Sequence, residues 1–169
     1  MTRVRTSVVV LAACGLAALL LPLAHPFAVR VLYNPTASAP LGWYVIVHAQ
    51  SADVGDFVAV RLPEHMRVLA AQREYLPATV PLLKRVAAVH GQTVCRFDDR
   101  VLIDARAVAR ALRRDAMGRP LPVWSGCRRL GVDEFFLLSP ARASFDSRYF
   151  GPVHRTDVIG RAIPVWIAR

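Results

Sequence analysis

The chain of 169 residues is 54% hydrophobic and 20% charged, which suits one compact domain and excludes intrinsic disorder as a description of the whole. Its formal net charge is +10, and its basic residues are a single lysine, Lys84, and 21 arginines. The arginines are spread along the chain without the interleaved aromatic residues that stack on bases. We therefore expect no nucleic-acid partner.

The N-terminal segment is apolar and long enough to cross a bilayer. Residues 6–29 contain no Asp, Glu, Lys or Arg, and about 20 apolar residues suffice for a transmembrane helix. We predict a membrane anchor at residues 1–29, with a cleaved signal peptide and a buried core helix as alternatives. Because Arg3 and Arg5 precede the apolar run, the positive-inside rule places residues 30–169 on the outer face of the membrane.

The three cysteines fit an exported domain. Cys14 lies in the predicted anchor, whereas Cys95 and Cys127 lie in the part that would meet oxidising conditions. We predict a Cys95–Cys127 disulfide, worth about 3–4 kcal/mol in the chain-entropy model, with two separate buried thiols as the alternative. Neither cysteine has a second Cys or a His at ligand spacing, so we expect no metal site and no cofactor.

Short runs rich in Val, Ile and Phe follow the anchor and are separated by turn residues, which predicts a mainly β domain. Residues 63–75 have Pro at their start and apolar residues at helical spacing, which predicts one short helix near 64–75. Residues 105–120 are ambiguous, because their alanines and arginines favour a helix while a Gly-Arg-Pro turn favours a hairpin. The predicted strands cover residues 43–47, 56–62, 82–89, 94–97, 101–103, 134–138 and 159–167.

A candidate nucleophile lies just beyond the anchor. Residues 33–44 read YNPTASAPLGWY, in which Ser38 is flanked by small residues and lies between Pro35 and Pro40. The prolines restrict the backbone, and Gly42 permits an unusual backbone angle. Such a turn can present one hydroxyl in a defined direction, although the same residues also occur in ordinary loops.

A candidate general base lies in the run PLLKRVAAV. None of the five histidines lies in a Ser-His-Asp arrangement, and Ser-Lys pairs are a recognised variant of that chemistry. Lys84 is flanked by apolar residues, and desolvation lets a lysine lose its proton near neutral pH, which an arginine cannot do. The alternative is a surface lysine on a strand edge.

A third segment, residues 144–153, reads SFDSRYFGPV. Within it Asp146 and Arg148 can form an ion pair, and Ser144 or Ser147 can offer a hydroxyl to hold a lysine amine. By itself the segment is equally consistent with a structural turn.

Taken in this order, the anchor and the three segments resemble the signal peptidase I clan of membrane-anchored Ser-Lys proteases, and in detail the TraF-type conjugative transfer peptidases. The resemblance implies a complex β fold of the signal peptidase kind for residues 30–169. It also implies a single-pass protein of the bacterial inner membrane with its catalytic domain in the periplasm. The membrane lipid is then a partner, together with a membrane-embedded pilin or another precursor that carries a signal peptide.

The same resemblance implies a role for each matching residue. Ser38 would be the nucleophile and Lys84 its general base, while the Ser38 backbone N–H and the Thr36 hydroxyl would form the oxyanion hole. Ser144 matches the serine that orients the lysine.

The third segment also matches a supporting ion pair, formed by Asp146 and Arg148. In TraF-type enzymes the equivalent aspartate is implicated in activity, which makes Asp146 a secondary catalytic candidate.

Two departures separate the chain from general signal peptidases. Those enzymes carry a Gly-Asp-Asn-Arg run before the last serine, where this chain has Leu-Ser-Pro-Ala-Arg at residues 138–142. After the lysine strand they carry Pro-Gly-Asp, where residues 90–92 are His-Gly-Gln. The implied activity is therefore cleavage of a conjugative pilin precursor, with a linear or a cyclic product. A general type I signal peptidase and a non-catalytic envelope or secretion-channel component are the alternatives.

Overall fold

The computed structural model describes residues 10–17, 31–49 and 51–168. Residues 10–17 form helix α1. None of the helices in these three ranges combines the length and apolar character that a membrane span requires. The remainder of the predicted anchor at residues 1–29, and with it the boundary to the following domain, lies outside the described residues.

Strands dominate the chain after residue 30, as the alternation of apolar and turn residues predicts. Helix α2 (Glu64–Gln72) begins after Pro63, and the other helical elements are the short α3 (Ser147–Phe150) and a 3₁₀ turn at Arg155–Asp157. The strands are β1 (Val31–Asn34), β2 (Gly42–Val47), β3 (Phe57–Val60), β4 (Leu82–Ala88), β5 (Thr93–Phe97), β6 (Arg100–Ile103), β7 (Arg106–Arg110), β8 (Gly126–Arg129), β9 (Glu134–Leu138), β10 (Val153–His154) and β11 (Val158–Ile167).

The strands form two sheets. A seven-stranded sheet has the order β1-β2-β11-β3-β4-β9-β10, and a four-stranded sheet has the order β7-β6-β5-β8. The paired strands are antiparallel. The C-terminal strand β11 is inserted between β2 and β3, so residues far apart in sequence become neighbours in the larger sheet.

The centre of the larger sheet is buried on both faces, which explains why β3 and β4 read as nearly continuous apolar runs. On one face Val58, Val60 and Val86 pack with residues of β9 and β10. On the other, Leu83 packs with residues of β2 and β11. The buried polar residue within β4 is Lys84, which lies opposite Val58 in the register.

The predicted helix at 63–75 and the seven predicted strands are confirmed to within a few residues at their ends. The sequence analysis did not identify β1, β7, β8 or β10. Residues 105–120 contain strand β7 followed by a turn region with an Arg114–Pro120 bridge, and no helix. Pairing with β6 therefore outweighs the helix preference of alanine and arginine in this segment.

A disulfide joins β5 and β8 in the smaller sheet. Cys95 and Cys127 lie opposite each other in the register, and their sulfur atoms are 2.04 Å apart. Strand β8 reads GCRR and has little apolar surface of its own. The bridge and the backbone pairing with β5 hold it in the sheet.

Candidate active site

The turn between β1 and β2 carries Ser38 and is built around two anchoring side chains. The amide of Asn34, which is buried, donates from Nδ2 to the carbonyl oxygens of Ala39 and Pro40 over 2.9 and 3.1 Å. The Tyr44 hydroxyl donates to the Pro40 carbonyl over 2.7 Å. Both side chains thus restrict the backbone that follows the serine.

Glycine is required where this turn enters β2. Gly42 has a φ of +145°, and a Cβ atom built there would lie 2.0 Å from the carbonyl oxygen of Trp166 on β11. The backbone angle foreseen for Gly42 is thus used to bring β2 and β11 together beside the Ser38 turn.

The turn presents two hydroxyls and one backbone N–H that could take part in a reaction. Thr36 Oγ1 lies 2.8 Å from Ser38 Oγ, and the serine is half-buried. Within the described ranges the Ser38 backbone N–H has no hydrogen-bond acceptor. That N–H is available to donate to a bound oxyanion, and the Thr36 hydroxyl is the nearest side-chain donor.

Lys84 lies in the middle of β4 with only 3% of its surface exposed. The pKa of its amine is lowered to about 8, mainly by burial; the Asp146 carboxylate opposes the decrease, and the Arg148 charge contributes to it. Its Nζ makes no hydrogen bond to any other described residue. A substantial fraction of the amine is therefore neutral slightly above physiological pH.

Asp146 and Arg148 form a buried ion pair behind the lysine. Arg148 Nε and Nη2 donate to the two carboxylate oxygens over 2.8 and 2.9 Å, and the backbone N–H groups of Ser139 and Arg148 donate to the same oxygens. Burial raises the pKa of Asp146, and these donors oppose the rise. The remaining Arg148 nitrogen donates to the carbonyl of Arg142 over 3.1 Å.

Arg96 supports this pair from the smaller sheet and was not singled out in the sequence analysis. It is buried, and its Nη1 donates to the Arg148 carbonyl over 2.5 Å. Its position in the apolar strand TVCRF, beside a bridged cysteine, was the available signal. Asn34 was likewise missed, because Asn-Pro is common in ordinary turns.

The two serines of the third segment differ in their surroundings. Ser147 Oγ accepts a hydrogen bond from the backbone N–H of Leu137 over 2.9 Å. Ser144 Oγ is buried and has no partner among the described residues, so the expected hydrogen bond between Ser144 and Lys84 is not formed in this structure. A buried hydroxyl without a partner is costly and keeps its hydrogen-bonding capacity free.

One cavity of about 690 Å³ brings the predicted residues together. Thr36, Ser38, Lys84 and Ser144 all line it, whereas Asp146 and Arg148 are not among the lining residues. Its other walls are mostly apolar and include Leu32, Leu82, Leu83, Leu112, Leu121 and Phe145. An apolar cavity with a few converging polar groups is the usual form of a binding site. No group of three or more His, Cys, Asp and Glu side chains in residues 10–17, 31–49 and 51–168 could hold a metal ion.

The family model described as signal peptidase, peptidase S26, matches residues 3–167. The chain therefore belongs to the signal peptidase S26 family, whose members are serine peptidases.

Its relatives narrow this assignment to the TraF type. The "Probable conjugal transfer protein TraF" of Sinorhizobium fredii is 40% identical over 131 residues, which are 71% of this chain and 68% of the relative. The "Conjugal transfer protein TraF" of Agrobacterium fabrum is 35% identical over 133 residues, 71% of this chain and 73% of the relative. A crystal structure of a signal peptidase I from Enterococcus faecalis aligns with a TM-score of 0.38 at 20% identity, over 66% of this chain and 97% of that one.

Proposed function

We propose that the protein is a membrane-anchored serine endopeptidase with a Ser38–Lys84 dyad that processes a precursor for conjugal transfer. The observation that carries the proposal is the shared cavity. It contains a half-buried serine hydroxyl on a constrained turn and a buried lysine whose pKa is lowered to about 8. The TraF names of the relatives support the conjugal role.

The reaction begins with proton transfer. Neutral Lys84 takes the proton of the Ser38 hydroxyl, and Ser38 Oγ attacks the scissile carbonyl carbon. The oxyanion accepts hydrogen bonds from the Ser38 backbone N–H and the Thr36 hydroxyl. When the intermediate collapses, protonated Lys84 gives its proton to the leaving amine, and an acyl-enzyme on Ser38 remains.

Asp146 and Arg148 support the base rather than touch the substrate. Together they place a nearly neutral unit beside Lys84, since the opposing Coulombic effects of the two groups on its pKa partly cancel. Desolvation is left as the dominant influence on the amine. The unpaired hydroxyl of Ser144 lines the same cavity and is available to hold the neutral amine in place.

Strand addition is the mode of substrate binding that the sheet favours. Strand β1 is an edge of the seven-stranded sheet and continues directly into the turn that holds Ser38. A peptide paired with this edge gains backbone hydrogen bonds while its side chains enter the apolar cavity. The scissile bond would then lie beside the nucleophile.

A location at the periplasmic membrane surface is supported by an exposed aromatic face on β1, β2 and β11. Tyr33 pairs with Trp43 in the register, and Trp43 pairs with Trp166. All three side chains are more than 40% exposed. Tyr and Trp are the residues enriched at membrane–water interfaces, and in the sequence β1 begins two residues after the predicted anchor at residues 1–29.

The fate of the acyl-enzyme determines the product. Attack by water on the acyl carbon releases a linear peptide, whereas attack by the substrate's own terminal amine forms a cyclic peptide with one water less. A general type I signal peptidase is the second candidate function, and a broad range of cleaved precursors would favour it.

The test is co-expression of this protein with a candidate pilin precursor encoded by a neighbouring gene, followed by intact mass measurement. Wild type, Ser38→Ala and Lys84→Arg are compared with Ser125→Ala, a control at an exposed serine that does not line the cavity. We expect a processed product with wild type and Ser125→Ala alone. A mass one water below that of the linear fragment would indicate cyclisation.

The other outcomes are equally informative. Processing that persists in both Ser38→Ala and Lys84→Arg would refute the dyad. Processing of unrelated secretory precursors, but not of the pilin, would support the general signal peptidase. If no precursor of either kind is processed by wild type, the protein is no peptidase under these conditions and the proposal fails.

A further inference from the structure

We propose that Asn34 is a positioning residue that fixes the Thr36 hydroxyl beside Ser38, so that it can stabilise the oxyanion. This inference rests on the proposed function of the Ser38–Lys84 cavity. Asn34 is the last residue of β1, it is 6% exposed, and it lines the same cavity as Thr36 and Ser38.

The orientation of the Asn34 amide is determined by its neighbours. Its Nδ2 faces three carbonyl oxygens, those of Thr36, Ala39 and Pro40, at 2.8, 2.9 and 3.1 Å. Carbonyl oxygens only accept hydrogen bonds, so the nitrogen of the amide must point toward them. Its Oδ1 consequently points toward Thr36, whose Oγ1 lies 3.0 Å away.

The direction of each hydroxyl proton follows from this orientation. Asn34 Oδ1 can only accept, so the Thr36 hydroxyl donates to it. A hydroxyl has one proton, and the 2.8 Å contact between Thr36 and Ser38 must therefore be donated by Ser38 Oγ. In the resting enzyme the chain of hydrogen bonds runs from Ser38 through Thr36 to Asn34.

This chain prepares the Thr36 oxygen for the reaction. Asn34 also holds the Thr36 backbone at its N–H and at its carbonyl oxygen. Rotation of the O–H bond away from Asn34 can therefore turn the proton toward the oxyanion while Oγ1 stays in place. A donor that needs no further movement of its heavy atoms stabilises developing charge most effectively. Without Asn34 the Thr36 side chain can choose among several rotamers, and it loses hydrogen bonds that hold its backbone.

The amide cannot be replaced by a carboxylate of the same shape. In Asn34→Asp an anionic oxygen would take the place of Nδ2 and face the same three carbonyl oxygens within about 3 Å. Repulsion between these acceptors would open the turn. An isosteric substitution is therefore expected to impair activity at least as much as truncation in Asn34→Ala.

A double-mutant cycle between Asn34 and Thr36 tests the inference. The full-length protein in detergent is assayed on a fluorogenic peptide spanning the junction that wild type cleaves. We expect Thr36→Val to lower kcat about 10²- to 10³-fold, as for other oxyanion donors. In wild type, Asn34→Ala should lower kcat about 10- to 100-fold with little change in KM. Added to Thr36→Val, it should lower kcat by less than about threefold.

Tyr44→Phe is the matched control, because Tyr44 also holds the Pro40 carbonyl but does not contact Thr36. It should lower the melting temperature, and any fall in kcat should be equal with and without Thr36→Val, as expected for two residues that do not interact. The pH midpoint of about 8 that burial gives Lys84 should be the same in Asn34→Ala as in wild type. Where Asn34→Ala does not fold, Asn34→Ser replaces it in the cycle.

Any of three results would overturn the inference. Asn34→Ala could lower kcat as much in the Thr36→Val background as in wild type, it could lower kcat by the same factor as Tyr44→Phe, or it could shift the pH midpoint. Each result would mean that Asn34 has only a structural role in the turn. Failure of the proposed function would be recognised separately, because Ser38→Ala would then match wild type.

Discussion

The two halves of the proposed dyad are held by opposite means. Ser38 lies on a half-exposed turn whose shape comes from local hydrogen bonds of Asn34 and Tyr44. Lys84 lies in a central strand, where burial and a neighbouring ion pair determine its charge. A nucleophile must be reached by substrate, whereas an amine acts as a base near neutral pH only when water is removed from it.

This difference has a consequence for stability. The serine hydroxyl costs the fold little, since it is partly solvated and bonded to Thr36. The lysine pKa falls from 10.5 to about 8 on burial, which corresponds to about 3 kcal/mol of free energy lost whenever the amine is protonated in the folded state. Burial of Lys84 thus lowers the stability of the fold, whereas the position of Ser38 does not.

The largest expected effect comes from Lys84→Met, which should abolish activity and stabilise the protein. Without a base, the rate should fall about 10⁴-fold or more. At pH 7 the free energy of unfolding should rise by about 2–3 kcal/mol, because a buried charge is replaced by an apolar chain of similar length. Chemical denaturation followed by circular dichroism measures the change.

The gain in stability from Lys84→Met should depend on pH. The folded pKa of Lys84 lies below its ordinary value, so the penalty is fully present below pH 8 and disappears as pH rises toward 10.5. The advantage of Lys84→Met should shrink accordingly at high pH. Ser38→Ala is the control, equally inactive but within about 0.5 kcal/mol of wild type in stability. Equal stability of the two variants would contradict the contrast between the two halves.

Asp146→Asn should produce the next largest effect, by breaking the buried pair. Arg148 would be left as an uncompensated charge, so the free energy of unfolding should fall by about 3–5 kcal/mol. Loss of the Asp146 anion should also lower the Lys84 pKa further, since that anion raises it. Asp99→Asn, which breaks an exposed pair with Arg110, serves as the control and should cost less than about 1 kcal/mol. Similar losses in both variants would mean that burial does not strengthen the inner pair.

Removal of the disulfide tests whether the stability of the smaller sheet affects activity at the site. In the Cys95→Ser, Cys127→Ser double variant, the bridge over a sequence separation of 32 residues is lost, and stability should fall by about 3–4 kcal/mol. Activity measured well below the melting temperature should stay within about threefold of wild type, because Lys84 lies in a strand of the larger sheet and Ser38 in a turn between two of its strands. A much larger loss of activity would show that Arg96, next to Cys95, transmits the change to Arg148.

The pH dependence of kcat/KM is the smallest of these expected effects, and it tests whether Lys84 is the base. Activity should rise about 50-fold between pH 6 and pH 8, as the fraction of neutral Lys84 increases, and level off above its pKa of about 8. His90→Gln, a substitution of an exposed histidine, should leave this profile unchanged. A midpoint well below 8 that disappears in this variant would assign the titration to this histidine instead.

Sequence reasoning predicted most elements of the larger sheet, since its strands carry apolar runs bounded by turn residues. It missed β7 and β8, whose sequences RAVAR and GCRR have weak strand character and depend on pairing with β6 and β5. It also named four of the polar residues that line the cavity, because serine, threonine and a lone lysine stand out by type. Asn34 and Arg96 were missed, because their roles depend on contacts that no local pattern records.

The sequence by itself determined the mainly β character of the domain and the identity of the chemically able residues, since periodicity and residue type are local properties. Only the tertiary structure decided that Ser38 and Lys84, 46 positions apart in the chain, share one cavity. The insertion of β11 between β2 and β3 places the Ser38 turn and the lysine strand in the same sheet. Burial depends on that assembly, and burial is what lowers the lysine pKa.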